Sequence, residues 1–414
     1  MKASAALAGT LGTLALGAAQ PKNLIFIIPD GFGGSGQALA RTYVSLTEGE
    51  STPGAPSIKD LPGDLLPVGN VRTHSNNNLV NDSAAAGTAL ATGFKTQNGM
   101  IGVQHDGSLV GNILEAAKLN GYRFSAHITS RNDYDGIAAQ QLGFSPPLNQ
   151  SVDILMGGGR CYYKPSLPGY YVAQNRSQFD DLELGLGSIR LPFPSLSEMT
   201  TTALNALDRA TGSKKKGYFM LIEASRIDHA AHAHDSGAHL WDTLEYNQIL
   251  DIVKSWIDNH PDTAMMSVAD HETGGLTLPS GYDPRRLRDV KQSAEHLKGI
   301  WDRYDGDDRR GFLVSEILPA YALSDATDGE IEAILAGDFV ANLAKFLNDR
   351  IGVEWSTGGH TAVDTVLYSY GAGKVGDELK KTLAGHWDNT DIPRFMEKAL
   401  QVSLDKVTEL LRAD

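Results

Sequence analysis

Tyr218-Phe-Met-Leu-Ile222-Glu223-Ala-Ser-Arg-Ile-Asp228-His-Ala-Ala-His232-Ala-His-Asp235 is the stretch on which the fold turns. Its first five residues are an unbroken apolar run, the pattern of a strand covered on both faces. The residues after it are spaced for a helix. Asp228 and His232 stand four apart and project from one face into the same volume. Glu223 closes the apolar run, so it sits at the strand's carboxyl end, facing that helix. A carboxylate and an imidazole held this way are a ready pair of ligands for zinc or a similar divalent ion.

Similar runs recur at residues 24–28, 124–128, 152–156 and 263–269, with helical stretches such as 111–120, 199–210 and 239–259 between them. Continuous apolar strands alternating with helices predict an α/β fold: a three-layer α/β/α sandwich with a large, mainly parallel central sheet and helices on both faces. Ligands of such sheets collect outside the carboxyl ends of the strands. The runs here are followed by Pro29-Asp30-Gly31, Ser130-Arg131, Gly157-Gly158-Gly159, Glu223 and Asp270-His271. Four of the five deliver charged or metal-binding side chains to that edge. Residues 165–194 read as a surface excursion. Residues 284–349 are charged and helical, a small insertion within one catalytic domain spanning 20–414.

The 414 residues carry a net charge of −14, which argues against a nucleic-acid partner because phosphate backbones demand a basic surface. Cys161 is the lone cysteine, so no intrachain disulfide is possible. Residues 1–19 read as a secretory signal peptide: Lys2, an apolar stretch over 5–16, then Gly17-Ala18-Ala19 for cleavage. A secreted, extracellular protein is expected, with a vacuolar location or an anchor through an uncleaved N-terminus as the alternatives. The rest of the chain has no candidate membrane span. Asn149 and Asn175 lie in N-glycosylation sequons, as does Asn81.

Each remaining candidate has a plain structural reading beside the chemical one. Asp30 after a buried strand suits metal bridging or a helix cap. Asp270-His271 can reach one metal together if the backbone turns, as Gly274-Gly275 permits, and His360 sits in a glycine-rich loop. Ser83 opens a helix of small residues, where free N–H groups favour an anion, although Ser is also a common cap. Arg131 offers a planar fork for phosphate or sulfate oxygens, or a surface ion pair. His229 lies beside a proposed ligand and is as suited to a supporting or phosphate-side role as to none. His234, His239 and His386 read as solvated helix residues.

With these pieces in place, the chain resembles the alkaline phosphatase family over nearly its whole mature length. The motifs are Ile-Pro-Asp30-Gly, Asn-Asp-Ser83-Ala-Ala-Ala-Gly-Thr-Ala, Glu223 with Asp228 and His232, Asp270-His271-Glu, and Gly-Gly-His360-Thr. The resemblance implies hydrolysis of phosphate monoesters of broad range at alkaline pH, through a phosphoserine on Ser83, by a homodimeric enzyme with two zinc ions and one magnesium. It implies Asp228, His232 and His360 on the first zinc, and Asp30, Asp270 and His271 on the second. Asp30 and Glu223 would serve magnesium, and Arg131 the substrate's non-bridging oxygens. A glycan on Asn81 would not fit in such a site.

One departure bears on magnesium. Family members run from the equivalent of Gly121-Tyr122 through a strand and a segment like Thr-His-Ala-Thr-Pro before the Ala-His-x-x-x-Arg that places the arginine. Here Arg123 passes straight into Phe124-Ser-Ala-His127-Ile-Thr-Ser-Arg131. Roughly fifteen to twenty residues, about one strand with its connections, have no counterpart. A weakened magnesium site is therefore expected. The competing expectations are a catalytically impaired pseudo-phosphatase that keeps zinc, and a phosphodiesterase or sulfatase on the same metal core. The full ligand set, and Ser rather than Thr or Cys, favour the monoesterase.

Overall fold

The computed structural model describes residues 20–118, 126–141, 154, 156, 194–212 and 217–413. The signal at 1–19, Cys161, Asn149, Asn175, the Arg123–Phe124 junction and nearly all of 152–156 and 165–194 lie outside the described residues. Ten strands are formed: β1 (Asn23–Ile28), β2 (Pro67–Arg72), β3 (Phe219–Glu223), β4 (Thr263–Val268), β5 (Glu272–Thr273), β6 (Leu276–Thr277), β7 (Glu354–Trp355), β8 (His360–Thr361), β9 (Thr365–Gly371) and β10 (Gly385–Asp388), all among the described residues. Six of them make the central sheet, in the order β10-β2-β9-β4-β1-β3. β1 runs parallel to both β3 and β4, and β10 runs parallel to β2. Only β9 opposes its neighbours, so the sheet is mixed but mainly parallel.

Alternation along β1 explains the layers. Leu24 and Phe26 point to one face, where they join Leu90, Ile113 and Ala116, whereas Ile25 and Ile27 point to the other with Leu204, Tyr246 and Leu250. The first face is covered by α2 (Ser83–Thr92) and α3 (Ile113–Lys118), following α1 (Gly34–Thr47). After α4 (Tyr134–Gln141), the second face is covered by α5 (Leu196–Thr211) and α7 (Ser236–Asn259), with the short α6 (Arg226–His232) between them. The region from 284 to 351 is largely helical, including Ala294–Arg303, Asp328–Ala336 and Phe339–Ile351. Its apolar residues Leu297, Trp301 and Leu343 pack into one core with Leu39 and Tyr43 of α1 and Leu240 of α7.

The run at 124–128 departs from expectation. Of its described residues, Ile128 makes an isolated bridge to Ile101 and does not join the central sheet. The Gln140 side chain supplies the reason: it accepts from the His127 N–H at 2.7 Å and donates to the His127 carbonyl at 3.2 Å, taking the groups a ladder needs. No helix among the described residues is long and apolar enough to cross a membrane.

Candidate active site

The site is assembled at the carboxyl ends of β1, β3 and β4. After β1 the chain turns through Gly31, whose φ of +73° suits glycine and whose missing Cβ would lie 2.6 Å from the Asp228 Cα. This close approach sets Asp30 against α6. The Gly31 N–H donates to Asp270 Oδ1 at 3.2 Å, and the His271 N–H donates to the same oxygen at 3.0 Å. Beyond β4, the two-residue ladder between β5 and β8 pairs Thr273 with His360 and so delivers that distant histidine.

Two groups of donors result. In one, His232 Nε2 lies 3.3 Å from Asp228 Oδ2, His360 Nε2 lies 3.6 Å from Asp228 Oδ1, and the two Nε2 atoms are 3.2 Å apart. In the other, His271 Nε2 lies 3.2 Å from Asp270 Oδ2 and 3.7 Å from Asp30 Oδ1. The groups adjoin, since the His271 and His360 rings stack at 3.6 Å. Asp228, His271 and His360, and likewise Asp30, Asp270 and His271, offer ligand atoms within 4.8 Å of one another.

Hydrogen-bond polarity fits these groups to a cation. His232 Nδ1 lies 2.7 Å from the Gly358 carbonyl, and His360 Nδ1 lies 2.8 Å from the Asn81 carbonyl. A carbonyl only accepts, so each Nδ1 carries a hydrogen, and Nε2 is the atom each ring turns toward Asp228, where it could ligate a cation. The two Nε2 atoms, 3.2 Å apart and both beside the Asp228 carboxylate, converge on a volume that a cation could occupy. Among the described residues Asp30 Oδ1 is buried without a hydrogen-bond partner, an orphaned acceptor that a metal would satisfy.

The carboxylates report the same crowding. Burial, then the charges of Asp270, Asp228 and Glu223, raise Asp30 well above the usual carboxylate range. Burial, Asp270 and Asp228 push Glu223 up to about 7. Glu223 ends β3 beside these carboxylates, and no described residue hydrogen-bonds its carboxyl. Burial also acts to raise Asp228, but hydrogen bonds from His232 and Thr273 outweigh it and hold Asp228 well below its ordinary value.

Ser83 is the first residue of α2, and Asp82 rather than Ser83 is its cap, accepting from the Ala85 N–H at 2.9 Å. The serine hydroxyl is thereby spared for the site, where Oγ lies 3.2 Å from His271 Nε2. The second Asp82 oxygen accepts from Arg131 Nη1 at 3.0 Å, which sets the half-exposed arginine beside the helix start. The Asn81 sequon is closed to a glycan, because Asn81 is 1 % exposed.

All nine expected site residues thus reach one edge of the sheet. His229 does not join them: its Nδ1 meets Arg226 Nη1 at 2.5 Å, and Arg226 reaches on to Glu295. His239 corrects the sequence reading. It is buried rather than solvated, edge-on to Trp355 and against Gly36, and burial lowers its pKa to about 4. Residues not singled out beforehand also matter. Asn81, Asp82 and Thr273 brace the nominated side chains, and a buried pair, Glu115 Oε1 with His127 Nε2 at 3.0 Å, anchors the segment leading to Arg131. Glu115 had a local signal: with Asn112 it forms a reciprocal helix cap.

Comparison with known proteins places the chain in a family. The family model described as alkaline phosphatase matches residues 21–183 and 172–402. The alkaline phosphatase of Schizosaccharomyces pombe is 33% identical, covering 95% of this chain and 84% of its own. The repressible alkaline phosphatase of Saccharomyces cerevisiae is 31% identical, covering 94% and 83%. Among solved structures, Thermus thermophilus alkaline phosphatase aligns with a TM-score of 0.74 and 25% identity over 100% of both chains. The cold-active enzyme of a psychrophilic Shewanella aligns at 0.70 and 26%, over 91% of this chain and 99% of its own.

Proposed function

The chain belongs to the alkaline phosphatase family of phosphate monoester hydrolases, and from that premise we propose that it works through a phosphoserine on Ser83 in a metal-dependent site. The observation that carries this reading is the Ser83 hydroxyl, at a helix N-terminus and 3.2 Å from His271 Nε2, with the two donor groups around it.

The donor sets suit Asp228, His232 and His360 to one zinc and Asp30, Asp270 and His271 to a second, with Asp30 and Glu223 toward magnesium. Bound there, the ions supply the positive charge that lowers the pKa of Ser83 and stabilises the oxygen leaving phosphorus. Arg131, held by Asp82, grips the non-bridging oxygens and orients the phosphoryl group in line with Ser83 Oγ. Oγ then attacks phosphorus, the ester P–O bond breaks, and the alcohol departs with a proton. Water displaces Ser83 in the second step, releasing inorganic phosphate and returning the hydroxyl. The N-terminus of α2 favours the anion throughout.

These groups all address the phosphate rather than the alcohol, which supports broad monoester specificity. Neutral imidazoles and an ionised serine support an alkaline optimum. We read residues 1–19 as a secretory signal, residues 20–414 as one domain with 284–349 inserted, and the enzyme as a secreted, glycosylated homodimer.

The Glu223 carboxyl, which no described residue hydrogen-bonds, favours a second reading, a chain that keeps zinc but turns over poorly because its magnesium side is incomplete. Turnover of a chromogenic phosphate monoester decides between the two. Activity abolished by Ser83→Ala supports the phosphoserine enzyme. Two bound zincs per chain without turnover support the impaired one.

A further inference from the structure

Thr273 is 1 % exposed and lies between the two donor groups. Its Oγ1 lies 2.6 Å from Asp228 Oδ1, in the first group, and 3.2 Å from His271 Nδ1, in the second. Across the β5–β8 ladder it faces His360. One hydroxyl therefore touches a carboxylate that would serve one metal and an imidazole that would serve the other.

Proton counting fixes the direction of both bonds. A hydroxyl has one hydrogen to give, and an ionised carboxylate only accepts. The Thr273 hydrogen must go to Asp228, so its oxygen is left to accept, and His271 Nδ1 must be the donor. That choice forces the His271 lone pair onto Nε2. Nε2 is the atom 3.2 Å from Ser83 Oγ and 3.2 Å from Asp270 Oδ2. His232 and His360 have their tautomers set by backbone carbonyls, whereas His271 depends on this one side chain.

We propose that Thr273 is a positioning residue that sets the His271 tautomer and couples the two metal sites through its hydroxyl. The proposal rests on the two-metal reading above. When Asp228 is drawn toward a cation, the Thr273 hydroxyl follows it and carries the His271 ring along. Filling one group thus orders the other.

The test is a calorimetric titration of Zn²⁺ into the chelator-stripped full chain, with Thr273→Val and Thr273→Ser beside the wild type. Valine keeps the shape and removes the hydroxyl, and serine restores it. The expected result is zinc affinity lower by roughly 10- to 100-fold in Thr273→Val, with the sites filling independently, and near wild-type behaviour in Thr273→Ser. Wild-type affinities in a folded Thr273→Val would overturn the proposal. A wild-type chain that binds no zinc would defeat the metal reading instead. The ¹⁵N resonances of the His271 ring in the stripped wild type decide Thr273 independently, even if the valine variant does not fold. Hydrogen on Nδ1 supports the proposal, and hydrogen on Nε2 overturns it.

Discussion

Arg131 is tied to Asp82 at two levels. Its Nη1 lies 3.0 Å from Asp82 Oδ2, and its backbone N–H donates at 2.7 Å to Gly99, whose own N–H donates to that same Asp82 oxygen. The residue that caps the serine helix therefore also sets the arginine. Charge-assisted hydrogen bonds of this kind are worth roughly 1.5–3 kcal/mol each. Arg131→Ala should raise KM for a small phosphate monoester by about 10- to 100-fold, the range those energies convert to. Asp82→Ala should raise it less. Initial-rate kinetics check this, and an unchanged KM in Arg131→Ala would contradict the assignment.

Metal removal should reveal the strain among the carboxylates. Glu223 is raised from its ordinary 4.5 to about 7, and Asp30 is also raised. The folded, metal-free chain therefore keeps protons that the unfolded chain has lost. Stability of the stripped protein should fall as pH rises from about 4.5 through about 7, the sign for a carboxyl whose folded pKa is the higher one. Urea denaturation over that range measures it. Added Zn²⁺ and Mg²⁺ should flatten the slope, and Glu223→Gln should remove part of it without metal.

Gly31 gives a steric test. Alanine there would adopt φ of +73° and place its Cβ 2.6 Å from the Asp228 Cα. The conformation alone costs roughly 1–2 kcal/mol, and the clash with backbone adds to it by pushing α6 away from β1. Gly31→Ala should lower the denaturation midpoint and weaken zinc binding together. Lost stability with intact zinc affinity would show that the close approach is structural only.

The Glu115–His127 pair should make stability depend on pH in a second way. Burial acts to lower the His127 pKa, but the hydrogen bond and charge of Glu115 outweigh it and raise it. A raised histidine stabilises fully below its unfolded value of about 6.5, and the gain is lost as pH rises through its higher folded value. Breaking a buried pair costs roughly 3–5 kcal/mol. His127→Gln should therefore be most destabilising near pH 6, with the gap to the wild type narrowing toward pH 9. A gap independent of pH would rule out the charged pair.

Much of this site was legible in the sequence because it follows local rules. Asp30, Glu223 and Asp270 stand at the ends of largely apolar runs, and Asp228 with His232 keeps helical spacing. The rest depends on contacts with no local signature. The β5–β8 ladder joins Thr273 to His360 across a long interval of chain, so neither the pairing nor the bridging hydroxyl could be read from either segment. β2 is irregular, with a register shift between Pro67 and Gly69 and Val71 as its one buried residue, so it lacks both strand patterns. His239 was misread because a histidine on a helix looks the same in sequence whether it meets water or Trp355.

The central claim is a covalent phosphate on Ser83, and it is tested most directly by stopping turnover of a phosphate monoester with acid and analysing the peptides by mass spectrometry. A phosphate on the peptide containing Ser83, absent from Ser83→Ala, is the predicted result. Full turnover with no phosphate on Ser83, or with phosphate on another residue, would contradict the account.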